Sequence, residues 1–182
     1  LAFNALASSV TSTAVVVDNT APQCEIITNL AATLTNVDTV VYSVHFTEAV
    51  QDFDAQADVT VYTSGTVAYT GISIADGPQT YTVSVTGVSG DGHLNIAANN
   101  GGVIRDLAGN PLFTSVSSST VHMDNTPPRV TAVTPSPSPA NSSSINFWFV
   151  FSEGVINFDA ESDLSLVEGG TLAHVGVSFS AG

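Results

Sequence analysis

The chain matches itself about one small domain further on. Leu107-Ala108-Gly109-Asn110 matches Leu1-Ala2-Phe3-Asn4, and Val121-His122-Met123-Asp124-Asn125-Thr126-Pro127-Pro128 matches Val15-Val16-Val17-Asp18-Asn19-Thr20-Ala21-Pro22, both at an offset of 106 residues. Phe151-Ser152-Glu153-Gly154-Val155 and Phe158-Asp159-Ala160 match Phe46-Thr47-Glu48-Ala49-Val50 and Phe53-Asp54-Ala55 at an offset of 105, so one residue is lost in between. Self-similarity at a fixed period is the mark of an array. The expected organisation is the last strand and linker of one unit over 1–19, a whole unit over 20–124, and the first part of the next over 125–182. On that frame the sequence is expected to be a window cut from a longer chain.

Each unit reads as strands. Val40, Tyr42, Val44 and Phe46 alternate with Val41, Ser43 and His45, and the matching stretch puts Ile145, Phe147, Phe149 and Phe151 on one face. Thr80–Thr86 alternates hydroxylated and apolar residues, as a strand with one wet face does. Further strands are predicted near Cys24–Thr28, Asp58–Tyr62, Thr66–Ile74, His93–Ile96 and Ser117–Met123. Turn signals separate them at Asp76-Gly77-Pro78, Ser89-Gly90-Asp91-Gly92, Asn99-Asn100-Gly101-Gly102 and Ala108-Gly109-Asn110-Pro111. About seven short strands in roughly 100 residues predict an all-β fold: tandem Ig-like β-sandwich repeats. Asp18-Asn19-Thr20-Ala21-Pro22 and Asp124-Asn125-Thr126-Pro127-Pro128 are then short linkers, stiffened because proline fixes φ and removes a donor. Trp148 falls on the outer face by alternation.

Charge narrows the partners. The chain has Lys+Arg 2 against Asp+Glu 16, a net charge of −14, and no lysine at all. Nothing here can replace the counterions on nucleic-acid phosphate or hold an anionic membrane surface. The carboxylate excess points to cations, with Ca²⁺ the hard-cation candidate. Cys24 is the single cysteine and its counterpart is Val130, so the unit does not depend on a disulfide; a small buried hydrophobe near a strand start is expected. No apolar run approaches the roughly 18 residues that span a bilayer.

The order of these motifs carries a likeness. A strand ending in Phe-Thr-Glu-Ala-Val or Phe-Ser-Glu-Gly-Val, then Val103-Ile104-Arg105-Asp106-Leu107-Ala108-Gly109-Asn110, then Asp-Asn-Thr-Pro-Pro resembles the bacterial-type Ig-like (Big) repeats of very large adhesins and cell-surface proteins. The likeness covers essentially the whole chain. It implies a non-enzymatic, tandem, extracellular module.

In an Ig-like topology the incoming linker, the end of the second strand and the loop before the last strand share one end of the sandwich. Asp18 and Asn19 are therefore expected to meet Glu48, Asp106 and Asn110, an oxygen-rich group suited to Ca²⁺. The next unit would use Asp124, Asn125 and Glu153. The alternative is that Asp18 and Asp124 bond turn backbone and that Glu48 pairs with Arg105. A second acidic set, Asp52, Asp54 and Asp58, lacks the glycine of an EF-hand loop and reads as solvated carboxylates.

No nucleophile elbow, zinc-protease helix, Walker loop or dinucleotide glycine pattern occurs. His45, His93, His122 and His174 are scattered and read as outer-face strand residues. The Pro/Ser-rich stretch 134–144 holds a glycosylation sequon at Asn141, and its Ser-Pro alternation resembles the glycosylated segments of algal and plant wall or flagellar-hair glycoproteins. An ordinary extended surface loop is the first expectation for this stretch, and a glycosylated segment the alternative. The expected role is a structural repeat of an extracellular stalk or filament, with neighbouring repeats or lateral copies as partners. The alternative is an adhesin repeat gripping cell-surface glycan or protein, with Trp148 and Tyr69 as contacts.

Overall fold

The computed structural model describes residues 8, 11–99, 103–114, 116–136 and 141–180. The chain divides into two units, Leu1–Thr126 and Pro127–Gly182. Among its described residues the first holds ten strands: β1 (Cys24–Asn29), β2 (Leu34–Thr35), β3 (Thr39–Phe46), β4 (Val50–Gln51), β5 (Val59–Gly65), β6 (Gly71–Asp76), β7 (Thr80–Thr86), β8 (Gly92–Ala98), β9 (Arg105–Asp106) and β10 (Val121–Met123). One four-stranded sheet runs β1-β3-β7-β6, with every neighbouring pair antiparallel. The other runs β2-β10-β8-β5, with β2 parallel to β10. The fold is an all-β sandwich.

Alternation decides what each strand buries, because successive side chains point to opposite faces. In β3 Val40, Tyr42, Val44 and Phe46 are buried while Val41, Ser43 and His45 are only partly covered. In β7 Tyr81, Val83 and Val85 go inward and the Thr/Ser set outward. From the facing sheet Val59, Leu94, Ile96, Val121 and Met123 complete the core. Cys24 is buried at the start of β1, and burial pushes its thiol pKa up.

The predicted strand Thr66–Ile74 does not form as such. Gly65 ends β5 at φ +68, where an added Cβ would lie 2.3 Å from the Asp91 carbonyl. Only glycine takes that conformation at no steric cost. The chain then crosses to the other sheet and resumes as β6.

Tyr42 is fully buried, and its hydroxyl makes no hydrogen bond of proper geometry. Burial pushes its pKa up to about 12, against a smaller lowering effect from the Ser118 hydroxyl. That hydroxyl is already engaged, accepting from the Ile96 N–H and donating to the Ser119 carbonyl. Replacing Tyr42 by Phe removes an ill-satisfied polar group, so Tyr42→Phe is expected to leave stability unchanged or raise it by about 1 kcal/mol in urea denaturation. A loss larger than that would show that Ser118 is a true partner.

The second unit holds β11 (Val130–Pro135) antiparallel to β12 (Phe147–Phe151). Phe158 packs edge-on against Phe149, Phe151 and Phe179 at centroid distances of 5.2, 5.1 and 5.4 Å. Phe149 and Phe151 are half-buried, whereas Ile145 and Phe147, expected beside them, are exposed. Trp148 is exposed, as alternation predicts. Asn141 is exposed, and four residues of the Pro/Ser stretch, 137–140, lie outside the described residues.

Local structure recurs with the sequence period. The Thr47 N–H donates to the Gln23 carbonyl, as the Ser152 N–H does to that of Arg129, both at 2.9 Å. The Gln23 N–H donates to Thr47 Oγ1 at 3.0 Å, and the Arg129 N–H to Ser152 Oγ at 3.1 Å. Both strand pairs carry an irregularity at the same place, after Cys24 and after Val130. Asp52 and Asn157 share positive φ, at 63° and 60°.

One stretch of the repeat diverges. Val121–Met123 forms β10 between β2 and β8, whereas the matching Val15–Val17 forms no strand and is exposed. A strand needs a neighbour for its backbone donors and acceptors, and the described residues place none beside Val15–Val17.

Candidate metal site

The short ribbon β4/β9 builds one end of the sandwich. Val50 pairs with Asp106 and Gln51 with Arg105, and the Gln51 side-chain amide donates to the Asp106 carbonyl at 2.9 Å. Beneath it three aromatic rings meet edge to face: Phe46–Phe53 at 5.3 Å, Phe53–Tyr81 at 5.0 Å and Phe46–Tyr81 at 5.9 Å. The Tyr81 hydroxyl donates to the Val50 carbonyl at 2.9 Å, tying that cluster to the ribbon. Glu48 lies on the turn between β3 and β4.

Asp106 opens a tight turn. Its Oδ1 accepts from the Asn110 N–H at 2.8 Å and its Oδ2 from Asn110 Nδ2 at 2.8 Å. The same Nδ2 donates to the carbonyls of Asp18 and Thr20 at 3.1 and 3.2 Å. Asn110 thus clamps the Asp18–Thr20 segment onto this turn. The result is that Asp18, Glu48 and Asp106 each bring a carboxylate oxygen to within 4.8 Å of the others. Asp106 is buried and Glu48 half-buried, while Asp18 is exposed.

The electrostatics of the three differ. Glu48 is held above the usual carboxylate range, first by its loss of solvent and then by the charges of Asp18 and Asp106. Loss of solvent also acts to raise Asp106, but hydrogen bonds from the Asn110 side chain and backbone, with those of Gly109 and Ala108, outweigh it and hold Asp106 below its ordinary value. Arg105, the partner that the alternative reading gave Glu48, turns instead to the Gly109 carbonyl at 3.0 Å. Among the described residues no arginine–carboxylate ion pair forms. Three carboxylates gathered without a basic partner have the donor chemistry of a Ca²⁺ site, where three such groups supply part of the 6–8 oxygens and water the rest.

Other expected ligands are placed differently. Asn110 presents its amide nitrogen to two carbonyls and a carboxylate. Turning the amide over would set its oxygen against three acceptors, so it acts as a clamp and not as an oxygen donor. Asn19 is exposed, and its side chain makes no hydrogen bond within the described residues. Asp18 and Asp124 both accept from the backbone N–H two residues on, Thr20 at 2.9 Å and Thr126 at 3.3 Å. That is the turn-capping alternative, and for Asp18 it coexists with membership of the acidic group. Glu153 follows β12 as Glu48 follows β3.

Asn125 is engaged elsewhere. Its N–H donates to Asp91 Oδ1 at 2.6 Å and its side-chain amide to the Gly90 carbonyl at 2.7 Å, while Thr126 Oγ1 donates to Asp91 Oδ2 at 2.5 Å. Bonds from Thr126 and then Asn125 hold Asp91 below its ordinary pKa, outweighing its partial loss of solvent. From sequence, Asp91 is only a residue of the Ser89-Gly90-Asp91-Gly92 turn signal; its partners come from 34 and 35 residues further on.

Asp58 also departs from expectation. It is buried, and its Oδ2 accepts from the N–H groups of Asp54 and Ala55 at 3.2 and 2.8 Å. Asp163 does the same for Asp159 and Ala160 at 3.1 and 3.0 Å. This is a turn cap and not a solvated carboxylate. His174, expected on a strand, lies outside any strand and is bracketed by Glu161 and Glu168, whose hydrogen bonds raise its pKa. Tyr69, one candidate glycan contact, packs partly buried against the core.

Compared with known proteins, the chain matches no family model, no curated protein and no solved structure. Among the described residues no helix is long and apolar enough to cross a membrane.

Proposed function

We propose that this chain is a non-enzymatic segment of a long extracellular stalk or filament, built from tandem Ig-like sandwiches and stiffened by Ca²⁺ at their junctions. The strand order β1-β3-β7-β6 over β10-β8-β5 corresponds to the ABED and GFC sheets of an immunoglobulin sandwich, with β2 as an added strand beside β10. The recurrence of the same backbone bonds 105 or 106 residues on supports the tandem reading.

The observation that carries the proposal is the Asp-Asn-Thr linker. In one copy Asp18 joins Glu48 and Asp106 of the sandwich that follows it. In the other, Asn125 and Thr126 are fastened to Asp91 of the sandwich that precedes them. The two copies supply complementary halves of one junction, in which a short linker is gripped from both sides. A divalent ion among the carboxylates would add the last restraint, and stiffness is what a spacer requires.

Small-angle scattering on a recombinant multi-repeat array tests this. The maximum dimension is expected to be greatest in Ca²⁺ and to shrink in chelator as junctions bend. An unchanged length in chelator would remove the Ca²⁺ part of the proposal, and a collapsed, bead-like profile in both would remove the stalk. The adhesin alternative retains exposed Trp148 as a contact, and specific binding on a glycan array would favour it.

A further inference from the structure

We propose that His93 and His122 form a two-imidazole site for a first-row divalent transition ion of the Zn²⁺ or Cu²⁺ class. The two residues stand directly opposite each other on β8 and β10. Their rings lie 4.3 Å apart, centroid to centroid, at an interplanar angle of 81°. Both are exposed on the outer face of the second sheet.

The register brings them close. The His122 N–H donates to the Thr33 carbonyl at 2.8 Å, away from β8. In an antiparallel pair a residue turned from its partner strand occupies the non-hydrogen-bonded position, where Cα atoms approach to about 4.5 Å and side chains are nearest. Two imidazole nitrogens bound at about 2.0–2.1 Å to one tetrahedral ion stand roughly 3.4 Å apart. Rotation of exposed rings with this centroid spacing reaches that separation.

The other histidines are already engaged. His45 meets Thr80 Oγ1 at 2.8 Å and stands 3.8 Å from Glu25, and His174 is held by Glu161 and Glu168. Among the described residues neither His93 nor His122 has a side-chain hydrogen bond or ion pair, and both rings are exposed. Asp91 and Asp124 stand two residues from His93 and His122 in sequence and add negative potential that favours a cation. Imidazole selects Zn²⁺, Cu²⁺ or Ni²⁺ over the oxygen-seeking Ca²⁺, so this site and the acidic group answer to different ions. A bound ion would staple β10, a three-residue strand leading into the linker, to β8. The inference is independent of the array reading.

The test is a Zn²⁺ titration by calorimetry on the full chain with excess Ca²⁺ present to compete for the exposed carboxylates. One site that depends on both histidines is expected. His122→Val, which installs the residue found at the matching position Val16, and His93→Asn are each expected to weaken it at least tenfold, while His174→Ala leaves it unchanged. Circular dichroism confirms that each variant is folded. Cu²⁺ bound to the native chain is expected to show two nitrogen ligands by electron paramagnetic resonance. Absence of a site, or affinity unaffected by His93→Asn and His122→Val, overturns the proposal.

Discussion

Calcium is expected to raise the melting temperature of the first unit by roughly 8–14 °C when its concentration is about 100-fold above Kd. That range follows from mass action, because an ion bound only by the folded state stabilises by about 2.7 kcal/mol at that excess. Asp106→Asn is expected to abolish the rise. The asparagine keeps the size of the side chain and an acceptor for the Asn110 N–H, but removes one of three charges an ion would neutralise. Scanning calorimetry in Ca²⁺ and in chelator, on native chain and variant, gives the answer.

The pH dependence supplies a second signature with a definite sign. Without the ion Glu48 titrates above its ordinary value, because solvent loss and the charges of Asp18 and Asp106 disfavour its ionised form. The folded state then holds a proton that the unfolded state has released. Stability therefore falls as pH rises from the ordinary glutamate pKa through the raised one. Asp106 acts in a lower window and in the opposite sense. Its depressed pKa contributes stability above the ordinary aspartate value, lost as pH falls through the folded one. With Ca²⁺ saturating, the Glu48 trend is expected to reverse, since ion and proton compete. Melting curves with no Ca²⁺ dependence at any pH would assign the acidic group to turn capping and linker clamping alone.

Phe46→Ala is expected to cost about 3–5 kcal/mol in urea denaturation, the range for truncating a buried phenylalanine. Phe46 is fully buried, and it meets Phe53 and Tyr81 edge to face. The cavity would open directly under the β4/β9 ribbon. Phe46→Ala is therefore also expected to weaken Ca²⁺ binding, since Glu48 follows two residues later and Tyr81 holds the Val50 carbonyl. Val85→Ala, towards the opposite end of the same sheet, is expected to lower stability and leave Ca²⁺ affinity unchanged. Equal effects of both variants on affinity would mean that the aromatic cluster does not position the site.

Much of this architecture follows from short-range pattern. Period-2 alternation marks which side chains of β3 and β7 go inward, because strand geometry sends successive residues to opposite faces. The internal match of the sequence marks the paired Asp-Asn-Thr motifs. Sandwich connectivity then put Asp18, Glu48 and Asp106 at one end, where the structure brings them together.

Tertiary structure alone decided the rest, because those features depend on contacts between residues distant in sequence. Whether Thr66–Ile74 continues one strand or changes sheets turns on how closely Gly65 approaches Asp91. Asn110 became a clamp because the Asp18 and Thr20 carbonyls, some 90 residues away, arrive as acceptors. Asn125 is held by the loop before β8 because Asp91 and Gly90 offer acceptors there. Cross-strand register placed His93 opposite His122. Alternation gives each histidine a face, but only strand pairing makes them neighbours.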